Sequence, residues 1–349
     1  MKNYILPFLL FLPQLVLCQT EIDLPLNQCR FLASHNSYKK VPQPKVLKFL
    51  YKFKKQLGAS NDPEQIDYGH ELLSVQLDSF NVQGFELDVN YDPKGGLYRK
   101  RTVSRFVCGV KAKDKAPEMK APGFKILHIA DVDFETNYKT LRQALQELKK
   151  WSDLHPNHLP VFVNIEAKGD HPGNVSKFLR FIGFKRAISF NRAAFDALDK
   201  EILDEMGSTK IFSPFDLKGN YNSVKERIQK EGWPLLSACR GKFFFILEGD
   251  NQEHYLDDKL PHPLFVYDNP NLETTAFVKR NEPEGNETEI QALTALFMVR
   301  TRSDAGTIEA RNNDYRRFNA AWKSGAQIIS TDYYKADKRI SNFKIQLPK

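Results

Sequence analysis

Six polar side chains close four short apolar runs, and their types suit a single metal site. The runs are Arg30–Asn36, Gly84–Asp88, Lys125–His128 and Val161–Glu166. Each reads as a buried strand that finishes on residues a core disfavours. His35 and Asn36 close the first, Glu86 and Asp88 the second, His128 the third and Glu166 the fourth. Glu86 and Asp88 are two apart, so on a strand they share a face. Two such carboxylates repel unless a cation lies between them or a proton is shared. Glu166 adds a third acid and Asn36 a neutral carbonyl oxygen. An all-oxygen set suits a hard cation, Ca2+ or Mg2+, better than zinc. The alternative is that these groups pair with lysines and arginines inside a barrel mouth. Two imidazoles beside an ion suit phosphodiester cleavage. One steadies charge developing on phosphorus or takes a proton, and the other protonates the leaving oxygen. His70, His155, His158, His171, His254 and His262 read as core or surface residues and receive no role.

The elements that must hold these groups alternate between strand-like runs and helical periodicity. Thr136 or Asn137 can cap a helix carrying Leu141, Leu145, Leu148 and Trp151. Further helices are expected at Asn191–Met206, Ser223–Glu231 and Ala310–Lys323, with Gly207, Gly232 and Gly325 as stop signals. Strand-like runs recur at Lys210–Phe212, Lys242–Leu247, Ala295–Arg300 and Gln327–Thr331. With the first four, these make eight strands. Strands alternating with helices imply parallel pairing, and eight units close an α/β barrel of the (β/α)8 TIM type. Its active site forms at the C-terminal strand ends, where the six polar residues lie. The surplus length falls mainly in two connections, Tyr38–Val82 and Asn90–Phe124.

The chain has 349 residues, and its start reads as a leader. Lys2 precedes the apolar run Ile5–Leu17, which Pro7 and Pro13 interrupt. That run is too short and broken to span a bilayer and fits a secretory signal. Cleavage after Cys18 leaves residues 19–349 as one catalytic domain, secreted or periplasmic. A rival reading makes Cys18 a lipid-anchored first residue, but Leu17 fits poorly before it. The net charge of +8 and pI near 9.1 favour anionic partners, acidic lipid headgroups or nucleic acid. A merely basic surface explains them equally well. Cys29, Cys108 and Cys239 allow one disulfide and one thiol, or three unbridged cysteines, and match no zinc spacing.

Ser34–His35–Asn36–Ser37–Tyr38, then Glu86–Leu87–Asp88, His128 and Asn164–Ile165–Glu166, resemble the catalytic half of Ca2+-dependent phosphoinositide-specific phospholipase C. The stretches Tyr68–Leu73 with Gln76–Leu77, Asp92–Gly96, Arg300–Asp304 and Gly325–Tyr333 are similar to its secreted microbial, single-domain branch. The resemblance spans nearly the whole chain after the leader. It implies that Asn36, Glu86, Asp88 and Glu166 bind Ca2+. It implies that His128 protonates the diacylglycerol oxygen while His35 steadies the phosphoryl oxygens. The inositol 2-hydroxyl would attack, giving a cyclic inositol phosphate. The anionic partner is then a phosphoinositide lipid at a membrane surface, not nucleic acid, and a monomer is expected. Asp131 and Asp133 follow His128 without an assigned role.

Arg300 and Arg302 share a strand face, and Lys168 shares that of Glu166. Lys168 and Arg302 are candidates to hold the substrate phosphate, or to balance the carboxylates. Asp332 is a candidate for sugar hydroxyls, or anchors a loop. A helical wheel over Lys45–Leu57 gathers Val46, Phe49, Leu50, Phe53 and Leu57 opposite Lys45, Lys48, Lys52 and Lys55. Packing on the barrel with a wet lysine face is preferred there to insertion into an anionic bilayer. Two rival functions remain. A glycerophosphodiester phosphodiesterase shares the barrel and Glu-x-Asp, but usually has Arg where Asn36 stands. A non-catalytic secreted barrel that binds anionic lipid is the other.

Overall fold

A computed structural model of the protein describes residues 23–348, apart from 102–103, 106–107, 112 and 257–260. The expected leader and Cys18 lie outside the described residues. Among the described residues, nine strands form one sheet: β1 (Phe31–Ser34), β2 (Val82–Asp92), β3 (Gly123–Ile126), β4 (Val161–Ala167), β5 (Phe243–Gly249), β6 (Phe265–Val266), β7 (Phe277–Lys279), β8 (Met298–Arg302) and β9 (Ile328–Thr331). Eight are parallel neighbours in the order β6-β5-β4-β2-β1-β9-β8-β7. A parallel bridge between Tyr267 and Phe277 brings the two edges together and nearly closes the barrel. The fold is the expected (β/α)8 type.

Two strand assignments change. Lys125–His128 was expected as a parallel barrel strand, but β3 pairs antiparallel with β2, Val89 opposite Ile126. β2 overshoots the barrel by Asn90–Asp92 and turns at Gly95 and Gly96. Gly95 has φ +75, and a Cβ there would lie 2.0 Å from the Lys120 oxygen. After a connection that carries the short helices Leu97–Arg99 and Pro117–Met119, the chain returns against β2 as β3, and His128 sits in the loop beyond it. Lys210–Phe212 makes one bridge, Ile211 to Phe243, and no strand. β6 and β7 supply the two missing staves.

The barrel strands are buried on both faces, which explains their continuous apolar runs. Phe31, Phe162, Phe244, Phe265, Phe277 and Ile328 fill the lower interior. Burying each phenylalanine contributes about 2–3 kcal/mol. Leu87, Val163, Ile165 and Leu247 point outward against helices 141–154 and 192–206. Thr140, not Thr136 or Asn137, caps the first of these through a capping box with Gln143. Asn191 and Ser223 cap the helices Arg192–Met206 and Val224–Glu231. The helix expected over Ala310–Lys323 is two, Ile308–Asn312 and Arg316–Lys323, broken where Asn313 takes φ 50. Gly84 lets β2 close on β1: a Cβ there would lie 2.5 Å from that of Ala33.

Lys45–Leu57 forms two helices, Pro44–Lys52 and Lys54–Leu57. Val46 packs with Leu127, Ala130 and Phe134, beneath the His128 loop. Leu47 is buried as well, whereas Phe53 is partly exposed. Cys29, Cys108 and Cys239 are all unbridged among the described residues.

Candidate active site

The acid cluster arises from strand register. Asp88 on β2 lies opposite Glu166 on β4, and Glu166 opposite Glu248 on β5. One row lower, Glu86 lies opposite Asn164. Carboxylate oxygens of Glu86, Asp88 and Glu166 lie within 4.8 Å of one another. Asp88 is fully buried, and neither of its oxygens has a hydrogen bond among the described residues. Burial, then the charge of Glu166, hold its carboxyl well above the usual range, against Lys168. Lys168 Nζ lies 2.9 Å from Glu166 Oε1 and 3.4 Å from Asp88 Oδ2. Glu86 differs. Burial would raise its pKa, but Arg300 and His35 outweigh that and bring it down to about 2. Arg300, itself buried, pairs with Glu86 and lies 3.6 Å from Glu248.

These residues fit a hard divalent cation. Three acids crowd one point, and a buried carboxylate has oxygens with no donor. Asn36 adjoins them through Tyr38, whose hydroxyl lies 3.4 Å from Asn36 Oδ1 and faces Asp88. Asn36 adopts φ 48, which Asn tolerates better than most residues. The chain thereby turns at once beyond β1, and Ser37 grips Glu86. Its N–H donates to the Glu86 oxygen at 3.0 Å, and its hydroxyl accepts from the Glu86 N–H at 2.8 Å.

Both imidazoles are held at Nδ1 by a buried carboxylate. His35 Nδ1 lies 2.8 Å from Asp332 Oδ1, and His128 Nδ1 lies 2.8 Å from Asp133 Oδ2. The partners assign the proton to Nδ1 and turn Nε2 of each ring away from its carboxylate. His35 Nε2 is 3.3 Å from Glu86 Oε1 and 3.3 Å from Arg302 Nη1. Arg302 also donates to Asp332 Oδ2 at 2.9 Å. Burial would raise the Asp332 pKa, but His35 and Arg302 hold it well below the usual range.

A family model described as phosphoinositide phospholipase C, Ca2+-dependent, matches residues 24–349. The chain belongs to the Ca2+-dependent phosphoinositide phospholipase C family. Two solved enzymes share the fold at low identity. The Ca2+-dependent phosphoinositol-specific phospholipase C of a Gram-negative Pseudomonas sp., in its myo-inositol complex, is 16% identical. That match covers 90% of this chain and 91% of the other, with a TM-score of 0.56. The Ca2+-dependent phosphatidylinositol-specific enzyme of Streptomyces antibioticus is 15% identical over 89% of this chain and 95% of the other, with a TM-score of 0.54. No curated protein matches the chain.

Several groups in this phospholipase escaped the sequence reading. Glu248 ends the run Phe243–Leu247 just as Glu166 ends its own, so the signal was present. Lys279 and Asn164 both bond to Glu248. Asp133 orients His128, and Asp131 Oδ2 accepts from the Lys185 N–H at 2.9 Å. Asp304 accepts from the Asp332 N–H at 2.8 Å and fixes that loop. Two histidines set aside in the sequence act on the catalytic loops. His70 Nε2 donates to the His35 carbonyl at 2.8 Å. His171 Nδ1 accepts from the Ala130 N–H at 3.4 Å, and its Nε2–H donates to Asn90 at 2.6 Å. Asn90 in turn donates to the Leu127 carbonyl at 3.0 Å, so both sides of His128 are tied down. Lys168 and Arg302 each touch carboxylates here, as does Arg300.

Proposed function

We propose that this phospholipase cleaves phosphatidylinositol-type lipids into diacylglycerol and a cyclic inositol phosphate. The observation that carries this reading is the crowding of Glu86, Asp88 and Glu166 beside His35, at a mouth to which the His128 loop is also tied. Asn36, Glu86, Asp88 and Glu166 would hold Ca2+. When bound, the ion supplies charge that lowers the pKa of the inositol 2-hydroxyl and offsets the phosphate. A carboxylate of the cluster accepts the hydroxyl proton as that oxygen attacks phosphorus. The bond from phosphorus to the glycerol oxygen breaks, and His128 Nε2 gives the leaving oxygen its proton. Asp133 at Nδ1 orients the ring for this step. His35, Arg302 and Lys168 face the phosphoryl oxygens. Asp332 already spends both oxygens on His35 and Arg302, so its role is to position them. Water then opens the cyclic ester with the His128 step reversed.

The leader at residues 1–18 would deliver a monomer to the secreted or periplasmic space, where anionic membranes present the substrate. Purified protein is incubated with phosphatidylinositol and with glycerophosphocholine, each with Ca2+ and with chelator. Cleavage of the first alone, abolished by chelator, is expected. Cleavage of glycerophosphocholine instead would move the assignment to the glycerophosphodiesterases, and cleavage of neither to a lipid-binding barrel. His35→Ala and His128→Ala are each expected to lower turnover by about 10²–10⁴-fold.

A further inference from the structure

The loop after β4 carries an apolar tip that no described residue covers. Val175 is 78% exposed, Phe178 67% and Phe181 87%, with Ile182 beside them. They fall on two short helices, Pro172–Val175 and Lys177–Phe181. Single exposed apolar residues are ordinary, but four within eight positions mark a contact surface. The loop's base, by contrast, is fixed. The Gly173 N–H donates to the Lys185 oxygen at 3.1 Å, and Asn174 Oδ1 accepts from the Ala187 N–H at 2.7 Å. A Cβ on Gly173 would lie 2.4 Å from that Lys185 oxygen. The Lys185 N–H reaches Asp131, in the loop of His128. The loop therefore springs from the catalytic mouth, and its base is tied to the loop of His128.

Its charge is one-sided. From His171 to Ser189 the sequence has no acid, but has Lys177, Arg180, Lys185 and Arg186. Lys177, Arg180 and Arg186 are exposed, and none is paired with an acid among the described residues. No helix among the described residues is long and apolar enough to cross a membrane. Apolar side chains flanked by unpaired cations fit an interface where rings enter the acyl boundary and cations meet anionic headgroups. The helix at Lys45–Leu57 is the weaker candidate, because its Val46 and Leu47 are already packed.

We propose that the loop of residues 171–188 docks this protein on an anionic bilayer, with Phe178 and Phe181 entering the acyl boundary and Lys177 and Arg180 on the headgroups. The choice of a bilayer rests on the lipid substrate proposed above, but docking is measured without catalysis. Vesicles of phosphatidylcholine containing phosphatidylglycerol are floated with wild type, with Phe178→Ser/Phe181→Ser and with Lys177→Glu/Arg180→Glu. Wild type is expected to float, and each double variant to bind at least about tenfold more weakly. Both variants should melt as wild type does and cleave a monomeric, water-soluble inositol phosphodiester at the wild-type rate. Wild type that stays at the bottom, or a phenylalanine variant that floats equally well, overturns the proposal. A dimer in sedimentation that Phe178→Ser/Phe181→Ser dissolves, with vesicle binding unchanged, assigns the tip to a second copy instead. If wild type floats but cleaves no soluble ester, docking stands and the catalytic reading fails.

Discussion

Asp88 is the residue whose environment is least compatible with an ionised side chain alone. It is fully buried, faces Glu166 and Glu86, and has no hydrogen bond to either oxygen among the described residues. Lys168 offsets part of that repulsion from 3.4 Å, while burial works against its own charge. Asp88 and Glu166 outweigh the burial and keep that ammonium charged. A divalent ion would reverse the sign of the problem, because the crowding that destabilises the empty cluster is what binds the cation. Asp88→Asn therefore separates stability from binding. In chelator the variant should melt at the wild-type temperature or above, since it removes a buried repulsion. With Ca2+ at about a hundred times its dissociation constant, wild type should gain about 2.7 kcal/mol, and a variant that binds about tenfold more weakly about 1.4 kcal/mol. Calorimetry in both buffers measures this. A chelated variant that melts well below wild type would show that Asp88 serves packing and not an ion.

Among the elements, the connection after β1 and the loop after β3 are joined by one buried cation. Lys39 Nζ donates to the carbonyls of Ile66 and Tyr68 at 2.6 and 3.0 Å and lies 3.2 Å from Asp133 Oδ2. Tyr68 stands under His35, and Asp133 holds His128, so Lys39 couples the supports of both imidazoles. Burial pulls its pKa below the usual value, and Asp133 resists. Lys39→Met should cost about 3–5 kcal/mol by stranding Asp133, and Lys39→Met/Asp133→Asn should regain much of it. Urea melts decide this, and additive losses would mean the two side chains are not a pair. None of this linkage was legible in the sequence. β4 and its Glu166 were, because a strand buried on both faces shows its polar residue only where it leaves the core. Glu248 carried the same signal on β5 and was passed over. β6 and β7, at two and three residues, are too short for any periodicity to register. The run before His128 looked like the other strands because β3, like the barrel staves, is buried on both faces. Only pairing tells them apart. The carboxylates that orient the histidines were hidden for different reasons: Asp133 follows a turn at Asp131 with φ 68, and Asp332 comes from the far end of the chain.

For the molecule as a whole, burial of the two supporting histidines makes the fold sensitive to acid. Burial pushes His70 down to about 4. Burial, with the nearby positive charges of Lys168 and His128, pushes His171 down to about 3. Both rings are neutral in the folded protein at pH 7, and both titrate near 6.5 once unfolded. Between those values the unfolded chain binds protons the folded one refuses, so stability is full above about 6.5 and falls as pH drops. Asp304 opposes this over a narrower window. Burial, then Asp332, push it up to about 6, so from about 3.8 to 6 the folded state holds a proton the unfolded state has lost. Asp88, also held well above the usual range, opposes the rings in the same sense, so the histidine contribution is read from the difference between wild type and a variant that lacks one ring. His171→Gln keeps a donor for Asn90 and removes one titrating ring. Its melting temperature at pH 7 should fall modestly, but its decline between pH 6.5 and 4.5 should be shallower by about one proton. A variant with the wild-type slope would mean that His171 already protonates freely in the folded barrel. The consequence reaches the active site, because His171 holds the Ala130 amide two residues past His128. Protonating it would take away the Nδ1 acceptor and set a second positive charge near Lys168. Acid should therefore loosen the proton donor before the barrel itself opens.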